Sequence, residues 1–459
     1  MVVCITNYKL SLKLKTSLKK KTNSFSYLCR FFMLYVFLLK MLKAVILIGG
    51  PEKGTRFRPL SLDVPKPLFP VAGLPIIQHH IEACVKLETC KEILIIGSYP
   101  IASMQQFLAD MQNEYRTIIR YLQEFTALGT AGGMYHFRDQ IRAGNPAAFF
   151  VLNGDVCAEF PLQELYDFHV ERGSDALVTI MSTEATKQQS LNYGCMVVSK
   201  PTCSVDHYVE KPNSYVSTNI NCGIYVCSLD VFQTMASCVV VFSGCNGTGR
   251  DAGYIAWEQE ILAPLAGTNH IYSMQVTSWW SQLKTAGSAI YANRHYLELF
   301  RQNAPARLVT PSAGGDSTCT ILPDVLIHPT ARVHPSAVIG PNVSIGPDVV
   351  IEAGVRLKES IVLANAAIHQ HALVMHSILG RYSEVGAWAR VEGTPTDPDP
   401  NKPFAKMDNL SLFNSNGRLN PSITILGRSV IVPPEVIVLN SIVLPHKILS
   451  RSFKHEIIL

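Results

Sequence analysis

The sequence predicts an α/β protein in two parts: a Rossmann-like doubly wound domain followed by a parallel β-helix. Three observations predict it. The five-residue apolar run Ala44–Ile48 empties directly into a glycine-rich loop. From Met41 to about Gln302, apolar runs alternate with amphipathic segments, as when strands and helices wind into one sheet. From Ile327 onward, aliphatic residues recur every six positions. Coils that stack their apolar residues on one another leave that period.

Residues 1–40 are expected to lie outside the fold. Lys9 to Lys21 is basic, and Tyr27 to Leu39 is apolar but interrupted by Arg30. That run is shorter than the roughly 20 residues that span a bilayer, so no membrane partner is expected. A basic segment without acid also suits a targeting peptide. Met41, two residues before the first strand, favours an upstream extension or alternative start instead. The chain of 459 residues is 47% apolar and 16% charged, which suits about two globular domains. Its net charge of +5 comes from the first 43 residues, which contain no Asp or Glu. The remainder is mildly acidic, which argues against a nucleic-acid partner.

The first domain is organised around Lys43 to Gly73. Ala44–Ile48 shows no polar alternation and suits a strand buried on both faces. Gly49-Gly50, Gly54-Thr55-Arg56 and Pro65-Lys66-Pro67 follow. A strand that opens into such a loop can bring backbone N–H groups close to a phosphate. Arg56 would add a rigid fork of charge and Lys66 a point charge. Further strands are expected at Glu92–Ile96, Ile118–Tyr121, Phe149–Leu152 and Ala176–Met181, and a helix over Ile76–Leu87. Ligands of such sheets sit beyond the carboxyl ends of the strands. The glycine loop and Asp155 both fall there. Asp155 can hold Mg²⁺ through hard oxygen ligands, although Asn153-Gly154-Asp155 is also ordinary turn chemistry.

The string from Gly49 to Pro70 resembles the signature GG-x-GTR-[LF]-x-PLT…PKP-x-x-P of sugar-1-phosphate nucleotidyltransferases. Met41–Leu459 as a whole resembles the mannose-1-phosphate guanylyltransferases, on the side of their regulatory subunits. Members of that family join GTP and mannose-1-phosphate into GDP-mannose and pyrophosphate. The resemblance implies a nucleotidyltransferase domain over 41–302, a linker over 303–326 and a left-handed β-helix over 327–459. It implies GDP-mannose or GTP as ligand, with the nucleotide held by Gly49, Gly50, Gly54, Thr55, Gln123, Gly129 and Thr130. Arg56 and Lys66 would be catalytic, and Asp155 would hold Mg²⁺. Glu210, Lys211 and Asn221, in Glu210-Lys211-Pro212 and Asn221-Cys222-Gly223, would hold the sugar and its phosphate. Twelve cysteines without a C-x-x-C pair then read as reduced cytoplasmic thiols, not a disulfide frame or zinc site.

Two departures from the family pattern bear on activity. Three residues, Pro51-Glu52-Lys53, stand between the glycine pair and Gly54-Thr55-Arg56, where the pattern has one, and Glu52 repels a triphosphate. Trp279–Gly287 aligns with W-x-D-[IV]-G-x-P, and Gln282 takes the place of the second metal aspartate. A neutral amide does not offset Mg²⁺, and charge stabilisation supplies most of the catalysis in such transfers. The expectation is a regulatory subunit that binds GDP-mannose, with Mg²⁺ weakly held or absent. It would modulate a catalytic homologue in a hetero-oligomer, by feedback inhibition. The alternative is a working guanylyltransferase that tolerates both changes.

In the second part, one aliphatic phase runs Ile327, Val333, Ile339, Ile345, Ile351, Leu357 and Leu363. Another runs Ala331, Ala337, Val343, Val349, Val355, Ile361, Ala367, Leu373, Leu379, Val385 and Val391. Ile425, Ile431, Ile437 and Val443 are expected to resume the period. Such a module suits assembly, including self-association through its exposed edges. It also occurs in acyltransferases, for which His328, His334, His369, His371 and His376 are the candidate bases. The stretch 393–421 breaks the period, and a loop that long inside a repeat is usually functional or disordered. Its apolar Leu410-Ser411-Leu412-Phe413 is a candidate tip for docking on a partner.

Overall fold

The computed structural model describes residues 41–459 except 53, 245–253, 316–317, 400, 403 and 408–410. The expected N-terminal extension, Lys53 and Leu410 therefore lie outside the described residues. Strand β1 (Leu42–Gly49) lies inside a nine-stranded sheet. Its successive residues serve opposite faces: Ala44 and Ile46 enter one core, and Val45 enters the other. A sheet covered on both faces needs an unbroken apolar strand, and that is why alternation is missing from the sequence.

Around β1 the chain alternates as expected, through α1 (Ile76–Val85), β2 (Cys90–Gly97), α2 (Ile101–Tyr115) and β3 (Ile118–Gln123). Then follow α3 (Gly129–His136), β4 (Ala148–Asn153) and the short β5 (Val156–Ala158). β3, β2, β1 and β4 lie side by side and parallel. The second half of the sheet is antiparallel in part. It comprises β6 (Val178–Glu184), β7 (Gly194–Val198), β8 (Val205–Glu210), β9 (Asn219–Cys227) and β10 (Ile271–Gln275). β9 joins β4 and β6 antiparallel, and β7 pairs β8 through a tight turn that needs no crossover helix. β11 (Trp280–Gln282) pairs with β5, and α4 (Ser288–Asn303) closes the domain.

The second part forms three stacked sheets, parallel apart from the edge strand Ser312–Gly315. Thr320-Ile321 already pairs in parallel with Val338-Ile339, so coils begin inside the segment expected as a linker. The six-residue period holds while Val338 pairs with Arg356, eighteen residues on. Arg356 pairs with Leu373 and Leu373 with Arg390, each only seventeen on, so two successive coils are each a residue short. The inward phase slips accordingly. Ala366 and Ala372 are buried, whereas the expected Ala367 and Leu373 are half-buried. Near the C-terminus, Val432 and Val438 fill the core, while Ile431 is half-buried and Ile437 exposed. Strict six-residue counting selected their neighbours. The candidate histidines are spread over coil corners. His328 and His334 each bond a hydroxyl two residues on, at 2.9 Å. His369 lies between Glu352 and Glu384, and His371 stacks on Trp388.

An apolar cluster joins the two parts. It takes Phe57, Phe69 and Ile76 from the first domain, Ile290, Leu297 and Phe300 from α4, and Ile361, Ile378 and Ile425 from the coils. At its centre the buried Asn293 Oδ1 accepts from the Ala72 amide and the Ser344 hydroxyl, both at 2.8 Å. The inserted loop leaves after Glu392 and returns at Thr424, which pairs with Ser377. Its described part packs on the chain's own first domain. Gln189 bonds both backbone groups of Lys406, and Lys406 Nζ reaches Thr183 Oγ1 at 3.1 Å. The Thr396 amide donates to Tyr291, and Arg294 bridges Glu359 and Asp397. Among the described residues no helix is long and apolar enough to cross a membrane.

Candidate functional site

A cavity of about 650 Å³ opens beyond the carboxyl ends of β1 and β4, within the size range of small-ligand sites. Gly49, Gly50, Gly54, Thr55, Arg56 and Lys66 line one wall. Gly54 adopts φ +92°, a left-handed conformation that side chains rarely take. Gly129 and Thr130 form the opposite wall, and Asp155, Lys211 and Gln282 complete it. Glu210 and Asn221 line a smaller adjoining cavity with Lys211. There Lys211 pairs with Glu210 at 2.8 Å, and Asn221 donates to the phenols of Tyr208 and Tyr225. Sequence-distant candidates therefore converge on one place.

Gln123 does not join them. Its side-chain oxygen accepts from the Ile101 amide at the start of α2, whereas its neighbour Glu124 lines the cavity. The backbone amides that follow Gly129 and Thr130 are also engaged. Ala131 and Gly132 both donate to the Ile255 carbonyl. Gly129 is required there, because a Cβ would lie 2.4 Å from that carbonyl oxygen. Thr130 Oγ1 accepts from the Trp257 amide at 2.9 Å and donates to Glu258 at 3.2 Å.

The charged end of the cavity is built by strand register. β11 runs antiparallel to β5 with Gln282 opposite Val156, and the Leu283 amide donates to the Asp155 carbonyl at 2.8 Å. Gln282 is thereby placed beside the Asp155 carboxylate. Its amide nitrogen lies 3.1 Å from Oδ1 and 3.3 Å from Oδ2. An ionised carboxylate only accepts hydrogen bonds, so the amide must present its NH₂. Lys66 Nζ stands 3.4 Å from Oδ2. Burial alone would raise the Asp155 pKa, but Lys66 and the Gln282 hydrogen bond outweigh it and hold the pKa down.

This donor set does not fit Mg²⁺. At the expected metal position stands the Asp155 carboxylate, a donor nitrogen faces both of its oxygens, and an ammonium stands beside it. Among the described residues, no group of three His, Cys, Asp or Glu is placed to hold a metal. A hard cation needs several oxygen ligands, and here hydrogen-bond donors face the oxygens that would serve.

Two cavity residues escaped sequence reasoning. Glu258 follows the undescribed 245–253 stretch and carries no motif. Burial raises its pKa, and the nearby Glu210 adds to the effect. Lys284 stands where the W-x-D-[IV]-G-x-P pattern has glycine, a signal that was legible in the same segment. Its Nζ donates to the Asn192 carbonyl at 3.3 Å and sits 4.1 Å from the centre of the Tyr193 ring. Burial lowers its pKa to about 8, against the attraction of Asp155. A neighbouring cavity of about 290 Å³ shares Arg56 and Gln282 with the site and is walled by Met407, Leu412 and Leu419 of the inserted loop.

Comparison with known proteins agrees with this geometry. A nucleotidyl transferase family model matches residues 43–260, and a GMPPB C-terminal domain model matches 321–458. The mannose-1-phosphate guanylyltransferase regulatory subunit alpha of Drosophila melanogaster is 67% identical, over 91% of this chain and all of its own length. The chain belongs to the mannose-1-phosphate guanylyltransferase family. The regulatory subunit alpha-A of Danio rerio and the regulatory subunit alpha of Rattus norvegicus are each 55% identical, again over 91% of this chain and their whole length. Two-part architecture and family agree, and the chain follows the relatives' full length from the glycine loop through the coils.

Proposed function

We propose that this chain is a regulatory subunit: it binds GDP-mannose in the large cavity and feedback-inhibits a catalytic homologue within a hetero-oligomer. One observation carries the reading. Gln282 hydrogen-bonds the Asp155 carboxylate at the expected metal position, so the site offers an anion-binding wall without the metal that nucleotidyl transfer relies on. The relatives' name, regulatory subunit alpha, supports it. The inserted loop is the proposed route to the partner, because it walls a cavity that shares Arg56 and Gln282 with the binding site. The coil stack would supply the assembly surface, in a cytoplasmic complex.

A second reading, a working guanylyltransferase, draws on Arg56, Lys66 and Asp155 remaining together around one cavity. One experiment separates the two. The isolated chain, given GTP, Mg²⁺ and mannose-1-phosphate, is assayed for pyrophosphate, and the catalytic homologue is then assayed with and without the chain and GDP-mannose. The regulatory reading expects negligible turnover alone and GDP-mannose-dependent slowing of the partner. Turnover by the chain alone at about 1–10³ s⁻¹ would overturn it. Shortening residues 397–416 to a small turn should spare GDP-mannose binding and abolish its effect on the partner.

A further inference from the structure

We propose that the cavity holds the diphosphate of a nucleotide-sugar without a divalent cation, and that Lys284 supplies the positive charge a metal would otherwise bring. The inference rests on the nucleotide-sugar reading of the site and adds how the ligand's charge is met.

The charges balance by position. Relative to the W-x-D-[IV]-G-x-P pattern, Gln282 removes one negative charge and Lys284 adds one positive charge. Together the two changes supply the two charges of Mg²⁺, within three residues of the same segment. The geometry places them to act together. Gln282 satisfies the Asp155 oxygens that would have bound the metal, at 3.1 and 3.3 Å, and Lys66 neutralises the carboxylate at 3.4 Å. Asp155 therefore makes no demand for a cation.

Lys284 is held differently. Its ammonium rests on the Asn192 carbonyl and the Tyr193 ring face, and among the described residues it forms no ion pair. A carbonyl and an aromatic face orient an ammonium without cancelling its charge. Both Lys284 and Arg56 line the cavity. Between them they present a point charge and a fork to a diphosphate, the two geometries that bind phosphate oxygens best.

The test is calorimetric titration of the full chain with GDP-mannose, in EDTA and again in millimolar Mg²⁺. The expected dissociation constants agree within about twofold. Lys284→Met should weaken binding in EDTA at least about tenfold, and Lys284→Arg should retain most of it. The double variant Gln282→Asp/Lys284→Gly should bind poorly in EDTA and recover with Mg²⁺. Thermal melting checks that each variant is folded, and the wild-type comparison decides even where a variant does not fold. Wild-type binding that requires Mg²⁺, or a folded Lys284→Met protein that binds as tightly as wild type, overturns the inference alone. A folded wild-type chain that binds GDP-mannose under neither condition overturns the nucleotide-sugar reading, and this inference falls with it.

Discussion

The coil stack has an aliphatic core, with Val343, Val355, Val374, Leu379, Val432 and Val443 among its fully buried residues, and no Lys, Arg, Asp or Glu is fully buried among the described coil residues. The cavity of the first domain gathers seven such side chains: Arg56, Lys66, Glu124, Asp155, Lys211, Glu258 and Lys284. The difference teaches where change is tolerated. In the stack the aliphatic side chains are fixed by shape, and buried hydroxyls such as Ser377 and Ser441 by bonds to the backbone, so a substitution costs stability. In the cavity the side chains are held by polar and charged neighbours, so a substitution is expected to alter what binds while the fold persists. The Asn293 junction and the Glu359 cluster are where the two rules meet.

The largest effect is expected deep in the stack. Leu379 is fully buried between coils, and Leu379→Ala should cost about 2–5 kcal/mol through lost burial and the cavity left behind. Urea unfolding of the full chain measures it, and a cost under about 1 kcal/mol would show that the coils collapse around the gap. Next comes the junction. Asn293→Ala strands the Ala72 amide and the Ser344 hydroxyl, both buried. Each unsatisfied group costs about 1–3 kcal/mol. Limited proteolysis should show earlier cleavage between the two parts than in the wild type.

A third expectation concerns acid. His376, with Nδ1 3.6 Å from the carboxylate, and Arg294 hold the Glu359 pKa down from 4.5 to about 2. A carboxylate whose pKa is depressed by folding stabilises the native state above its unfolded pKa. That contribution is full above about pH 4.5 and is lost as the pH falls to about 2. Glu359→Gln should flatten stability across that window, and denaturation midpoints measured from pH 6 to 2.5 would show it. An unchanged slope would mean the ion pair to Arg294 is equally strong in the unfolded chain.

The smallest effect should come from the surface of the same stack. Trp388 is 64% exposed and stacks on His371. Trp388→Ala should change stability by no more than about 0.5 kcal/mol, the ordinary range for surface positions. A larger loss of complex in sedimentation than of stability in melting would mark this corner as an assembly contact.

Much of this architecture was legible because it repeats or because it is purely apolar. All five expected strands are present, shifted by only a few residues at their ends, since runs such as Ala44–Ile48 have no other stable place than between two layers. The period failed where coils drop a residue, since Ala367 and Leu373 look as aliphatic as Ala366 and Ala372. The site was legible as a set of positions and not as a set of partners. Arg56, Lys66, Asp155 and Gln282 were named from sequence, but the amide of Gln282 turned onto Asp155 depends on the register of β11 against β5. Gln123 shows the same limit, because a helix start nearby claims its side chain. Lys284 was missed although its departure from the pattern was in plain view.

The cluster that joins the two parts also sets an order on synthesis. Phe57 and Ile76 emerge early, yet Ile378 and Ile425, which help to cover them, are made several hundred residues later. At about 5–20 residues per second, that interval lasts on the order of tens of seconds. Throughout it the nascent domain carries an apolar flank that only its own distant tail can seal. Truncated messages and stalled ribosomes would thus release a nearly complete nucleotidyltransferase-like domain that is adhesive, and a natural client for chaperones.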